Sequence, residues 1–290
     1  MNKLNQTITL KDGRILGYAE KGPSGGKPVF HFNGYPGSRL EITLIDENIL
    51  NKLNVRLIGV DRPGMGLSDF KKGRSLIDWP DDILELANYL NLEKFAIEGV
   101  SGGAPYSLAC AYKLPNYLTS CAVIGGIGPK DFKKVVGNRV IYFIIKRMHF
   151  LLRISMYFQG KTARNVEKME LKWKKSFNKL PQADQKILKD PLNLSMFLEE
   201  GAEAFRQGSK GVSYEGKLYT YPWLFKLEDI KTDLKVYIFH GELDTIVPIS
   251  IAKSVSKLIP NCTNIFYPDE GHYSVPLNHI QEILTLLLKT

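Results

Sequence analysis

Six short apolar runs, most of them followed by a helical pattern, constrain this chain more than any other feature. They are PVFHFN (28–33), VRLIGVD (55–61), KFAIEGV (94–100), SCAVIGGI (120–127), KVYIFHG (235–241) and NIFYP (264–268). Val, Ile and Phe dominate the central ones, as in strands covered on both faces. Helical patterns lie between or after them: WPDDILELANYLN, with Pro80 in its first turn, SGGAPYSLACAYKLP, PISIAKSVSKLIP and VPLNHIQEILTLLLK. Near the start, QTITL and RILGYAE flank KDG, a hairpin signal. Strand and helix in alternation imply right-handed crossovers. The expectation is an α/β fold: a mainly parallel eight-stranded sheet flanked by helices, with an antiparallel hairpin at one edge.

The alternation stops between about 128 and 222, where NRVIYFIIKRMHFLLRISMYF, ARNVEKMELKWKKSFNKL and PLNLSMFLEEGAEAFRQG read as helices without strands between them. Residues 129–221 are therefore expected to form an inserted all-helical cap over a core made of 1–128 and 222–290. The charge divides at the same place. Of a net +9, residues 130–217 hold 19 Lys/Arg against 9 Asp/Glu, and the rest 20 against 21. The basic residues recur at helical intervals with no nucleic-acid reading motif among them, so a solvated helical face is expected, not a nucleic-acid site. An apolar fraction of 44% suits a buried core. No apolar run reaches the roughly 18 residues of a membrane helix, and the first residues lack the pattern of a signal peptide. Cys110, Cys121 and Cys262 are odd in number and set in apolar patterns, which suggests buried thiols in a reducing compartment. A soluble cytoplasmic protein is expected, its oligomeric state open.

Within this frame AIEGVSGGAPYSLACAY (96–112) places Ser101 where a strand meets a helix, the context that G-x-S-x-G requires. Gly99 and Gly103 leave room for a sharp turn that projects the hydroxyl at the carboxyl edge of the sheet. A serine hydroxyl needs a base, itself held by an acid. Of five histidines, His31 and His240 fall inside strands, His149 in the cap and His279 in the last helix. His272, in PDEGHYSVP, follows the last strand and reaches the same edge as Ser101. Asp244, in HGELDTIVP, is the expected acid, with Glu242 and Asp269 as fallbacks and Asp131 a distant third. The order Ser, Asp, His is one of the known arrangements of a catalytic triad. Two N–H groups must receive the oxyanion: that of Gly102 at the helix start, and that of Tyr35 in NGYPGSR after the strand 28–33. Asp61 and Arg62, in DRPGMGLSD, read as scaffold.

Strand order, the GVSGG elbow, the D-R-P-G-x-G-x-S loop, HGELDTIVP and GHYS together resemble the α/β-hydrolase fold superfamily, over residues 5–128 and 222–290. The resemblance implies Ser101 as nucleophile, Asp244 as acid, His272 as base, and Tyr35 and Gly102 as oxyanion donors. Asn33 departs from it, since many relatives have His before the glycine of the oxyanion loop. No dinucleotide fingerprint, phosphate loop or clustered metal ligands stand beside the triad, so neither cofactor nor metal is expected.

The function expected is a serine hydrolase acting on a small or medium carboxylic ester, thioester or lactone with an apolar moiety. Amidases or aminopeptidases, carbon–carbon hydrolases and lyases share the fold and often the triad, and a ligand sensor with vestigial hydrolysis is a further alternative. Epoxide hydrolases and dehalogenases of this fold carry Asp at the elbow, against which Ser101 stands. Peptidase relatives bind a free amino terminus with acidic cap residues, for which Glu199, Glu200 and Glu203 are the cluster present. The segment 138–158 has apolar blocks broken by Lys146, Arg147 and Arg153. It is expected to bury one flank in the cap and offer another as the roof of the pocket, with weak membrane-surface contact as its alternative.

Overall fold

The computed structural model describes residues 3–129 and 131–289, and the side chains at 166, 172, 174 and 176 are left aside. Residues 1, 2 and 290 of the expected core, and Lys130 at the head of the basic segment, lie outside the described residues. The strands are β1 (Gln6–Thr9), β2 (Ile15–Lys21), β3 (Lys27–Phe32), β4 (Val55–Val60), β5 (Phe95–Val100), β6 (Leu118–Ile124), β7 (Lys235–Gly241) and β8 (Cys262–Tyr267). They form one eight-stranded sheet in the order β1-β2-β4-β3-β5-β6-β7-β8. β1 and β2 pair antiparallel, as do β2 and β4, and every neighbouring pair from β4 to β8 is parallel. The strand read over 120–127 ends earlier, because Gly125 turns into the left-handed region at φ 55°.

Helices cover both faces. α1 (Glu47–Leu53) precedes β4; α2 (Trp79–Tyr89) and α3 (Ala104–Lys113) flank β5. Seven follow β6: α4 (Phe132–Val136), α5 (Arg139–Arg147), α6 (His149–Ala163), α7 (Val166–Phe177), α8 (Gln182–Lys189), α9 (Pro191–Ala204) and α10 (Lys210–Leu218). α11 (Ile249–Ser256), α12 (Ser274–Asn278) and α13 (Ile280–Leu287) complete the chain. The apolar layer on one face joins Trp79, Ile83 and Leu86 of α2 to Phe30, Phe95 and Ile97. On the other face Leu50 of α1 and Ile283, Leu284 and Leu287 of α13 meet Val29, Ala96 and Ala122. Alternation along each strand feeds both layers.

Between β6 and β7 the described residues hold helices and no strand, as expected, but more helices than periodicity suggested. The run 138–158 is two helices, broken at Met148. The short, polar α8 and α10 lie outside the helical patterns of the sequence. The last helix divides at His279, which joins α12 to α13.

α10 meets the core backbone to backbone. A methyl group at Gly211 would lie 2.0 Å from the Gly64 carbonyl oxygen, closer than any contact allows. Gly211→Ala is therefore expected to destabilise the fold by about 1–3 kcal/mol, as overpacking does. Urea denaturation followed by circular dichroism measures it, and Gly201→Ala, where a methyl meets nothing within 4 Å, is the control.

Candidate active site

Because β3 to β8 run parallel, the loops that follow them gather at one edge of the sheet. At the end of β5 the chain turns so sharply that Ser101 takes φ 51°, left-handed backbone that a non-glycine residue rarely adopts. The surrounding glycines make the turn feasible. A methyl at Gly103 would sit 2.0 Å from the Phe32 carbonyl oxygen, and one at Gly99 would sit 2.6 Å from that of Gly103. A methyl at Gly102 would lie 3.2 Å from the Tyr35 nitrogen, so the two expected N–H donors belong to touching residues.

His272 and Asp244 meet after β8 and β7, with Nδ1 2.7 Å from Oδ2. Asp244 is fully engaged: its Oδ1 also accepts the N–H groups of Ile246 and Val247, both at 2.8 Å. The Asp244 contact favours the Nδ1–H tautomer in neutral His272 and leaves Nε2 as an acceptor. Burial works against charge on both groups, but each favours the ionised form of the other. His272 therefore lies above the usual imidazole value of 6.5, and Asp244 below the usual carboxylate range. The fallback acids do not compete. Glu242 and Asp269 are exposed, and Asp131 pairs with Lys134 at the start of α4. His240 Nε2 lies 2.8 Å from the Val247 carbonyl oxygen and 3.4 Å from Asp244 Oδ2.

Two further carboxylates, unnoticed in the sequence, anchor this edge from the helical segment. Asp184 of α8 accepts the N–H groups of His272, Tyr273 and Ser274 at 2.8–3.0 Å, holding the loop that carries the imidazole. A methyl at Gly271 would strike that carboxylate at 2.3 Å. Glu215 of α10 bonds Arg62 at 2.6 Å and Arg74 at 3.0 Å, all three side chains being buried. Arg62 in turn donates to the carbonyl oxygens of Asn33 and Gly34, each at 2.6 Å, and so grips the loop that carries Tyr35. Tyr219 closes the circuit. Its hydroxyl lies 2.6 Å from Glu215 Oε1 and 2.8 Å from the Gly102 carbonyl oxygen, and its one proton serves one of them at a time.

Ser101, Tyr35 and His272 open into a cavity of about 490 Å³. One wall is aromatic and thioether: Met169, Trp173, Phe197, Phe205 and Tyr273. The roof comes from α7 and α9 and from Gln159 and Ala163 of α6, and residues 138–158 supply none of it. Their expected role as roof is thus corrected: Tyr142 and Ile145 of α5 pack against the core and Leu152 of α6 is buried, but none of them lines the cavity.

The lining also holds three glutamates and a second histidine. His31 and Glu98 are register partners on adjacent strands, with Nδ1 and Oε1 2.8 Å apart, and Glu41 Oε1 lies 3.3 Å from His31 Nε2. Burial opposes charge on His31, yet the two carboxylates push it up to about 9. Glu41 Oε2 accepts the Gly34 N–H at 2.7 Å, in the loop that carries Asn33 and Tyr35. Burial, then the charge of Glu41, raises Glu200 well above the usual carboxylate value. Of the three glutamates singled out in α9, only Glu200 lines the cavity. Glu203 bonds Arg39 at 2.7 Å, and Glu199 is exposed. Glu98 Oε2 is buried without a hydrogen-bond partner.

The profile of the alpha/beta hydrolase fold family matches residues 27–278. A bifunctional esterase/perhydrolase of Acinetobacter calcoaceticus is 24% identical over 277 residues, covering 91% of this chain and 92% of its own. A "Probable proline iminopeptidase" of Leptolyngbya boryana is 24% identical over 273 residues, covering 88% of this chain and 84% of its own. In three dimensions the enol-lactonase from Burkholderia xenovorans LB400 matches with a TM-score of 0.70 at 16% identity, over 98% of this chain and 100% of that one.

Glu215→Ala leaves two buried guanidinium groups short of their counter-charge. The expected loss is about 3–5 kcal/mol of stability, measured by chemical denaturation.

Proposed function

Because the chain belongs to the alpha/beta hydrolase fold family, we propose that it is a serine hydrolase cleaving small or medium carboxylic esters, thioesters or lactones with an apolar moiety. Ser101, held at φ 51° in the same cavity as an imidazole bonded to a buried carboxylate, carries this proposal. The aromatic and thioether wall suits the apolar moiety, and the esterase named among the relatives supports an ester-type bond.

In this mechanism His272 Nε2 takes the Ser101 proton as Oγ attacks the carbonyl carbon. Asp244 keeps the proton on Nδ1 and stabilises the imidazolium that forms. The N–H groups of Tyr35 and Gly102 receive the oxyanion, each worth about 10²–10³ in rate. His272 then hands its proton to the departing alkoxide or thiolate, leaving an acyl-serine. Water, deprotonated by the same imidazole, attacks that acyl group and restores the hydroxyl. Residues 129–221 act as the cap over this site.

Ser101→Ala is expected to keep the fold and lose about 10⁴-fold or more of kcat on a chromogenic short-chain ester, with fluorophosphonate labelling abolished. Turnover retained in that variant overturns the mechanism. The base must be neutral, and His272 is raised. The acid limb of kcat/KM is therefore expected above the ordinary imidazole value of 6.5, with activity lost as pH falls through it. Asp244→Asn should move the limb to lower pH and cost about 10⁴ in kcat.

A second reading has a specific observation behind it. Glu41, Glu98 and Glu200 in the lining suit a protonated amine beside the scissile carbonyl, as in an aminoacyl ester or amide. The iminopeptidase among the relatives supports it. Matched aminoacyl esters with free and acetylated amino groups separate the two: a preference above tenfold for the free amine, lost in Glu200→Gln, establishes the second, and equal rates establish the first.

A further inference from the structure

We propose that α5 and α6 dock the protein on an anionic lipid surface, an inference independent of the chemistry at Ser101. In α6, Phe150, Ile154, Tyr157 and Phe158 form one outward stripe at helical spacing, with Arg153 and Lys161 on the same face. The buried Leu152, Gly160 and Ala163 occupy the opposite face. Phe150 is 62% exposed and Phe158 61%, values normal for lysine and costly for phenylalanine in water. α5 buries no residue, and its Val140, Ile141 and Phe143 are exposed beside Arg139 and Arg147. Apolar side chains on two adjacent helices form the kind of contiguous patch that marks an interaction site.

Charge selects the partner. From Phe132 to Val166 the chain carries eight Lys or Arg and no Asp or Glu. A second copy joined about a two-fold axis would set this basic face against itself, and like charges oppose that contact. Nucleic acid satisfies the cations but offers nothing to Val140, Ile141 and Ile154, which do not stack on bases. An anionic bilayer satisfies both. Phosphate head groups meet the arginines, worth about 1 kcal/mol for each cation near the surface, while the apolar side chains enter the acyl boundary. Lys161 lies 4.7 Å from the centre of the Tyr157 ring, a pairing of cation and ring suited to head-group depth. No helix among the described residues is long and apolar enough to cross a membrane, so the association is peripheral. Docking also orients the catalytic cavity. Gln159 and Ala163 line it from the inner side of α6, so only the thickness of that helix separates it from the lipid.

Co-sedimentation of the full chain with vesicles tests the proposal, using phosphatidylcholine alone and phosphatidylcholine mixed with phosphatidylglycerol. Binding is expected to be at least about tenfold tighter to the anionic vesicles and to weaken with added salt. The triple variant Phe150→Asp, Ile154→Asp, Phe158→Asp should lose that binding, as should Arg147→Glu with Arg153→Glu, both keeping the wild-type circular dichroism spectrum and melting midpoint. Equal or absent binding to the two vesicle types overturns the proposal. So does a wild-type dimer in sedimentation velocity that the triple variant dissociates, or a DNA duplex that displaces the vesicles.

Discussion

A guanidinium with no access to water governs the layout of this molecule. Arg62 cannot shed its charge, so burying it requires a counter-charge and a partner for each N–H. Glu215 supplies the first from α10, and the carbonyl oxygens of Asn33 and Gly34 supply much of the second. A loop after β3, a loop after β4 and a helix from the middle of the chain thereby become one body. Tyr35 belongs to that body, and through Tyr219 so does Gly102. The backbone N–H groups of Tyr35 and Gly102 are thus set by an ion pair that touches neither of them.

The loop that carries His272 is held by the same device, again a carboxylate from the helical segment. There the core offers backbone N–H groups, and the helical segment brings the carboxylate. Asp184 gathers three consecutive amides at 272–274, while Asp244 holds the ring of the first of those residues. The main chain of His272 answers to α8 and its side chain to β7. The helices after β6 therefore build the edge they cover.

The core of this arrangement was legible in the sequence. Continuous apolar runs and the hairpin signal around KDG located the eight strands to within a few residues, and the shared edge of their loops is where Asp244 and His272 meet. What escaped notice shares a physical cause. Asp184 and Glu215 sit in short polar helices whose partners are far away in the chain, at 272 and 62, and no local pattern encodes such pairing. Glu98 looks like an isolated blemish in an apolar strand until the register sets it beside His31. The run 138–158 misled for the converse reason. Its apolar residues occupy two faces, and periodicity measures how apolar a helix is without saying which face finds a neighbour.

Asp184 and Glu215 also bear on how such folds diverge. A transplanted helical insert lacking these acids would arrive without an acceptor for the 272–274 amides and without a mate for Arg62. The recipient would gain a new helical segment and lose the posture of the loops that carry Tyr35 and His272. Exchange of substrate preference by swapping this region would succeed only where both acids, or equivalents of them, travel with the graft.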